Sequence, residues 1–160
     1  MNHDSYTDAY LRMILRRTRI IAMVGASPHW NRPSYFVMKY LQAKGFRVIP
    51  VNPKAAGETV LGETCYASLG EVPVPIDMVD VFRNAEAAPG IVEDAIRLGA
   101  KTVWMQIGVR HDAAAARAEA AGLDVVMNHC PKIEFSRLSG ELAWSGVNTG
   151  IISARRYKRV

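Results

Sequence analysis

Residues 20–51 read IIAMVGASPHWNRPSYFVMKYLQAKGFRVIPV, and this stretch decides the fold. Ile20 to Val24 is a short apolar run closed by Gly25, the pattern of a strand buried on both faces. Pro33 stands where the first turn of a helix tolerates proline, and Phe36, Val37, Tyr40 and Leu41 form one stripe. Gly45 is placed to stop that helix, and Phe46 to Val51 is a second strand that ends at Asn52-Pro53. Strand, loop, helix and strand over this length make a right-handed βαβ crossover.

The same alternation continues downstream. Ile76 to Phe82 is a third strand, and Asn84 to Leu98 a helix with Pro89 in its first turn. Thr102 to Ile107 is a fourth strand, Asp112 to Ala121 an alanine-rich helix stopped by Gly122, and Leu123 to Met127 a fifth strand. Alternation of this kind predicts an α/β chain, a Rossmann-like doubly wound parallel five-stranded sheet with helices on both faces. Upstream, Asp4 to Thr18 carries Tyr6, Tyr10, Leu11, Ile14 and Leu15 at helical spacing, a leading amphipathic helix. Residues 54–75 are rich in Gly and Pro and read as an irregular connection with a small strand near Glu63 to Tyr66. Beyond Lys132 the pattern fades, leaving 137–160 as a basic extension that includes Trp144.

At 160 residues and 49% hydrophobic content the chain suits a single domain with its own core. No apolar run approaches the roughly 18 residues that span a bilayer, and the first residues have no signal-peptide character. Two cysteines, Cys65 and Cys130, make no disulfide framework, so a cytoplasmic protein is expected. The net charge of +5 sits at the ends: Arg12, Arg16, Arg17 and Arg19 near the start, and Arg155, Arg156, Lys158 and Arg159 at the finish. The middle is close to neutral, and Tyr157 is the only aromatic among these basic clusters, so nucleic acid is not the expected partner. Solvated or subunit-facing termini are the reading, with a homodimer or another protein as possible partner.

An open parallel sheet binds ligands outside the carboxyl ends of its strands. Those ends read Gly25-Ala26-Ser27, Asn52-Pro53-Lys54, Phe82-Arg83-Asn84, Gln106-Ile107-Gly108 and Asn128-His129-Cys130, with no carboxylate among them. The first loop offers Gly25, hydroxyls at Ser27 and Ser34, and Arg32 just before a helix amino end, a combination suited to a phosphate. It is neither GxGxxG nor a Walker A loop, and a plain turn with a surface arginine reads the same way. The second strand end is more selective. An NAD site wants an acid there for the ribose hydroxyls, whereas Lys54 would attract a phosphorylated ribose. Coenzyme A and NADP are the two nucleotides that fit, and a solvated loop lysine is the bland alternative.

The runs VGAS with Arg32-Pro33-Ser34, then VIPVNPK with Gly57, DVFR, WMQIGV and HCPKIE, resemble the small stand-alone CoA-binding proteins of bacteria and archaea. Their domain is similar to the CoA-binding domain of the succinyl-CoA synthetase alpha subunit. The resemblance covers residues 18–136 and implies a CoA pyrophosphate near Gly25, Ala26, Ser27, Arg32 and Ser34. It implies adenosine and its 3′-phosphate near Asn52, Pro53 and Lys54, with Phe82 and Arg83 beside the nucleotide. Trp104, Gln106 and Gly108 would lie toward the pantetheine arm. Asn128-His129 departs from the Asp-Arg pair the resemblance leads one to expect before the cysteine.

Catalysis finds little support in the residues. The synthetase needs a phosphorylated histidine from a second domain, and here His3 lies in an expected mobile terminus, His29 in the phosphate loop and His111 at a helix start. His129 and Cys130 are adjacent on extended chain and point to opposite faces, which disfavours a base and nucleophile pair. No two metal-ligating residues share ligand spacing on one element. The expectation is a CoA-binding or acyl-CoA-binding carrier, sensor or store without chemistry of its own; the alternative is an NADP-dependent reductase or a CoA-linked enzyme. On this reading Cys130, a small buried residue or a reactive thiol, ends the path of the pantetheine arm, with Lys132 favouring a thiolate.

Overall fold

In a computed structural model the chain is described over residues 1–140. Thr7 accepts a hydrogen bond from the Tyr10 amide at 3.1 Å and caps α1 (Asp8–Arg17), so the leading helix starts later than its apolar spacing suggested. Leu11, Ile14 and Leu15 form its buried face. There follow β1 (Ile20–Val24), α2 (Pro33–Ala43) and β2 (Arg47–Val51). A small antiparallel pair, β3 (Thr59–Val60) and β4 (Glu63–Thr64), breaks the connection to β5 (Met78–Val81). Then come α3 (Ala88–Arg97), β6 (Thr102–Met105), α4 (Asp112–Ala120), β7 (Asp124–Val126) and α5 (Pro131–Leu138).

The main sheet is parallel with order β2-β1-β5-β6-β7. The Rossmann-like doubly wound class expected from the alternation is the one observed. Alternate residues of each strand feed two separate cores. Ala22, Val24, Val79, Val81, Val103, Met105 and Val125 pack against α3 and α4. Ile21, Met23, Met78, Trp104 and Val126 pack against α1, α2 and α5.

Three sequence expectations change. On α2 the buried stripe is Ser34, Val37, Met38 and Leu41, and Phe36 is half exposed. Residues 131–138 form α5, with Pro131 at its first turn, Phe135 fully buried and Glu134 and Leu138 largely buried. The helix is too short to show a period, and its start signal follows a strand end already read as loop. The basic ends are not simply solvated either. Arg17 donates to Asp124 Oδ2 at 2.5 Å, to Thr102 Oγ1 at 2.8 Å and to the Lys101 carbonyl at 3.2 Å, fastening α1 to the amino edge of the sheet. The cluster at Arg155 to Arg159, and Trp144, lie outside the described residues. Among those described, no helix is long and apolar enough to cross a membrane.

An open sheet has edges that must be covered. At β7 two tyrosines of the α1 region do this. The Tyr10 hydroxyl donates to the Val125 carbonyl at 2.9 Å and accepts from the Val125 amide at 3.1 Å, and the Tyr6 hydroxyl accepts from the Met127 amide at 2.8 Å. Burial pushes the Tyr10 phenol up to about 12, against the opposing pull of its backbone bond. His3 joins this cluster through Tyr6 at 2.8 Å and Glu119 at 3.0 Å, so it is anchored and not part of a loose terminus.

Tyr10→Phe removes both the donor and the acceptor facing Val125 while keeping the ring. Urea unfolding should show a loss of about 1–3 kcal/mol, the cost of leaving buried backbone groups unpaired. A variant as stable as the wild type would mean that water replaces the hydroxyl at this edge.

Candidate functional site

β1 and β5 are neighbours, but α2 leaves β1 toward one face and α3 leaves β5 toward the other. The crevice between such diverging connections is where doubly wound sheets take ligands. Gly25 closes its inner end. Its φ is +91°, and a Cβ at this position would lie 2.3 Å from the Phe82 carbonyl oxygen, so only glycine lets the two strand ends converge. The sequence suggests that this glycine serves phosphate approach; the structure gives it a packing reason as well.

The loop after Gly25 is shaped by its own polar groups. The Ser27 amide donates to Ser34 Oγ at 2.9 Å, and the His29 amide to Ser27 Oγ at 3.1 Å. Asn52 Nδ2 donates to the Ala26 carbonyl at 2.9 Å while its Oδ1 accepts from the Lys54 amide at 3.0 Å. Ala26 and Ser34 are buried. Asn52 and Ser34, both expected to touch ligand, thus have structural partners that join the first loop to the end of β2. Pro53 opens the short 3-10 turn that places Lys54 on the surface.

Beside this loop lies a cleft of about 550 Å³. It brings together Phe82, Arg83, Gln106 and Cys130 from three strand ends, with Pro33, Val37, Val109 and Ile133 as apolar wall. Arg32 and Lys54 stand outside the cleft lining, exposed at the ends of the two neighbouring loops. Gly108 is not in the lining; its amide donates to Asn128 Oδ1 at 2.7 Å in the turn after β6. Asn128 adopts φ +58°, so the residue that departs from the expected Asp-Arg pair has a local backbone role. Trp104 is fully buried with its indole N–H donating to the His129 carbonyl at 3.0 Å, which makes it core and not a pantetheine contact.

Not every cation is paired. Arg17, Arg47, Arg97, Arg110, Arg117 and Arg137 each pair with a carboxylate. Arg32, Lys54 and Arg83 have no carboxylate partner among the described residues. All three lie on the carboxyl edge.

One functional candidate was invisible from the strand ends. Asp80, in the interior of β5, is fully buried and accepts from Gln106 Nε2 at 3.0 and 3.2 Å. Burial raises its carboxyl to about 7, and the Gln106 bonds only partly oppose this. The available signal was the acid itself, since an aspartate inside an otherwise apolar strand is seldom there for packing. Cys130 is buried at the cleft wall, and desolvation pushes its thiol up; Lys132 opposes this only weakly, so the expected thiolate gives way to a resting thiol. His129 turns away and stacks edge-on against Tyr6 at 5.0 Å. His111 caps α4, its Nδ1 accepting from the Ala114 amide at 3.0 Å.

The sequence model of the family described as CoA binding domain matches residues 19–136. The chain belongs to this family. As a CoA-binding domain it is similar to the uncharacterized protein YneT of Bacillus subtilis, 37% identical over 78% of this chain and 91% of that protein. It is also 27% identical to the ADP-forming acetate–CoA ligase I of Archaeoglobus fulgidus over 89% of this chain, which is only 20% of the ligase. Among solved structures it resembles Prb, the PH1109 protein redesigned for binding, at 44% identity and TM-score 0.82 over 88% of this chain and 97% of that one. A hypothetical protein from Pyrococcus horikoshii OT3 matches at 43% identity and TM-score 0.80, over 86% and 96% of the two chains.

Asp80 makes the stability of this CoA-binding domain depend on pH in a direction opposite to most carboxylates. Its folded pKa of about 7 lies above the unfolded value, so the folded state holds the extra proton. The group favours folding most at low pH, and that contribution falls as pH rises toward 7 and is flat beyond. The stability difference between Asp80→Asn and wild type should therefore grow from pH 5.5 to 7.5, by up to about 1.4 kcal/mol per unit. A difference independent of pH would show that Asp80 titrates normally.

Proposed function

We propose that this CoA-binding domain holds coenzyme A, or an acyl-CoA, along the carboxyl edge of its sheet and acts as a carrier, sensor or store without chemistry of its own. The observation that carries the reading is the trio Arg32, Lys54 and Arg83, cations without carboxylate partners around a switch-point cleft. CoA carries a pyrophosphate and a 3′-phosphate, and these cations offer counter-charge to both. On this reading the pyrophosphate lies at the loop from Gly25 to Ser34 with Arg32, and the 3′-phosphate meets Lys54. The pantetheine arm then enters the apolar cleft past Phe82, Arg83 and Gln106 and ends at Cys130.

A binding role is favoured by how three of the four histidines are used: His3, His111 and His129 are engaged in structural contacts. A reductase would need a proton donor over the site.

Calorimetry with CoA and dephospho-CoA tests the assignment of Lys54. CoA should bind more tightly by roughly 1–3 kcal/mol, the range of a charge-assisted contact. Lys54→Ala should erase the difference. Equal affinities in the wild type would refute the 3′-phosphate assignment, and tighter binding of NADP than of CoA would favour the reductase.

Arg32→Ala should weaken CoA by more than about ten-fold, as expected for loss of a guanidinium on a phosphate. The melting temperature of the ligand-free protein should stay nearly constant, because an exposed, unpaired arginine contributes little to folding. A large fall in melting temperature would make Arg32 a structural residue.

A further inference from the structure

Asp80 sits in the middle of the sheet between Met23 on β1 and Trp104 on β6, and its exposure is 0%. Its carboxylate has no cationic partner among the described residues, and both its hydrogen bonds come from one nitrogen, Gln106 Nε2. A carboxylate in a core is costly, and a single neutral amide does not offset it. Its effect falls on the partner. A glutamine amide has a donor end and an acceptor end, and nothing intrinsic decides which way it turns. An ionised carboxylate only accepts, so it holds the NH₂ end and leaves Oε1 facing elsewhere.

Gln106 is 6% exposed and lines the cleft. Its Oε1 has no hydrogen-bond partner among the described residues, and it is not among the fully enclosed unpaired atoms. The lining around it is apolar at Pro33, Val37, Val109 and Ile133 and polar at Arg83 and Asn84, neither of which bonds to Gln106. A carbonyl oxygen left without a donor at such a wall is open to one brought by a ligand.

We propose that Asp80 and Gln106 form an orientation lock that makes the inner wall of the cleft a hydrogen-bond acceptor, selecting a ligand segment that donates an amide N–H. The proposal rests on the CoA reading, whose pantetheine arm carries two secondary amides. Asp80 touches Gln106 and not the ligand, so it is a positioning residue.

The lock has a chemical consequence that a packing role lacks. A protonated Asp80 is itself a donor, and its hydroxyl pairs best with Gln106 Oε1, which turns the amide over and presents NH₂ to the cleft. Protonation thus converts the acceptor wall into a donor wall. The titratable group that feels the charge of Asp80 is Cys130, a thiol ahead of α5, with Lys132 beyond it; β1 and β6 present Met23 and Trp104. Arg83 lies at the exposed end of β5.

Two measurements test this. The first follows the side-chain ¹⁵N–¹H₂ resonances of Gln106 in ligand-free protein from pH 6 to 8.5; they should shift with a midpoint near that of Asp80, about 7, and stay fixed in Asp80→Asn. The second measures CoA affinity of wild type, Asp80→Asn and Gln106→Met over the same range, each variant as a ratio to wild type so that titration of the ligand phosphates cancels. Gln106→Met should bind roughly ten-fold more weakly at pH 8, the loss of one hydrogen bond to a desolvated acceptor. Asp80→Asn should be weaker at pH 8 and converge on wild type at pH 6. Gln106 resonances that do not move with pH, or Gln106→Met binding CoA as wild type does, would overturn the lock. If wild type binds no CoA while the resonances titrate, the CoA reading fails and the lock stands. If CoA binds but the resonances are flat, the reverse holds.

Discussion

The approach of β1 to β5 is the constraint on which the rest of the carboxyl edge depends. At Gly25 the chain turns with positive φ so close to the Phe82 carbonyl that no side chain fits. This contact fixes where the first loop leaves the sheet, and therefore where Arg32 and the amino end of α2 stand relative to the cleft. A Cβ there would force the two strand ends apart, and the hydrogen bond from the Gly25 amide to the Val51 carbonyl at 2.8 Å would be strained with them. One backbone approach thus holds three strand ends, β1, β2 and β5, in a common geometry.

Charged and polar groups around the sheet serve different ends. At the amino edge, charges are consumed in fastening elements together: Asp77 Oδ2 accepts from the Arg19 and Ile20 amides at 2.9 Å each, and Arg17 joins α1 to Asp124. At the carboxyl edge Arg32, Lys54 and Arg83 are left without acidic partners. Structural polar groups there, such as Asn52 and Ser34, are spent on shaping the loop, and the cations are not.

Asp80 is the exception to an otherwise apolar interior. The protein accepts a buried carboxyl raised to about 7, in a strand whose other residues are Met78, Val79 and Val81. A carboxylate is costly to bury, and in the proposed lock the role of Asp80 is in what it imposes on Gln106. Because Gln106 lines the cleft, such a lock lets a group inside the core set the polarity of the cleft wall.

Local rules explain how much of this was legible in the sequence. Alternating apolar runs, Pro33 and Gly45 around α2, and the lack of an acid after β2 are each readable within a few residues; they determined the doubly wound class and narrowed the expected nucleotide to coenzyme A or NADP, while the family was legible only in the resemblance of runs such as VGAS and HCPKIE. Only the tertiary structure decided which residues meet. Asp80 and Gln106 are 26 positions apart and touch because β5 and β6 are in parallel register. Tyr10 reaches Val125 across 115 positions, and Trp104, read as a ligand contact, turns inward into the core. A strand buried on both faces shows no alternation, so its sequence does not say which side chains face which core; that choice is made by cross-strand register and helix packing, interactions between residues far apart in the chain.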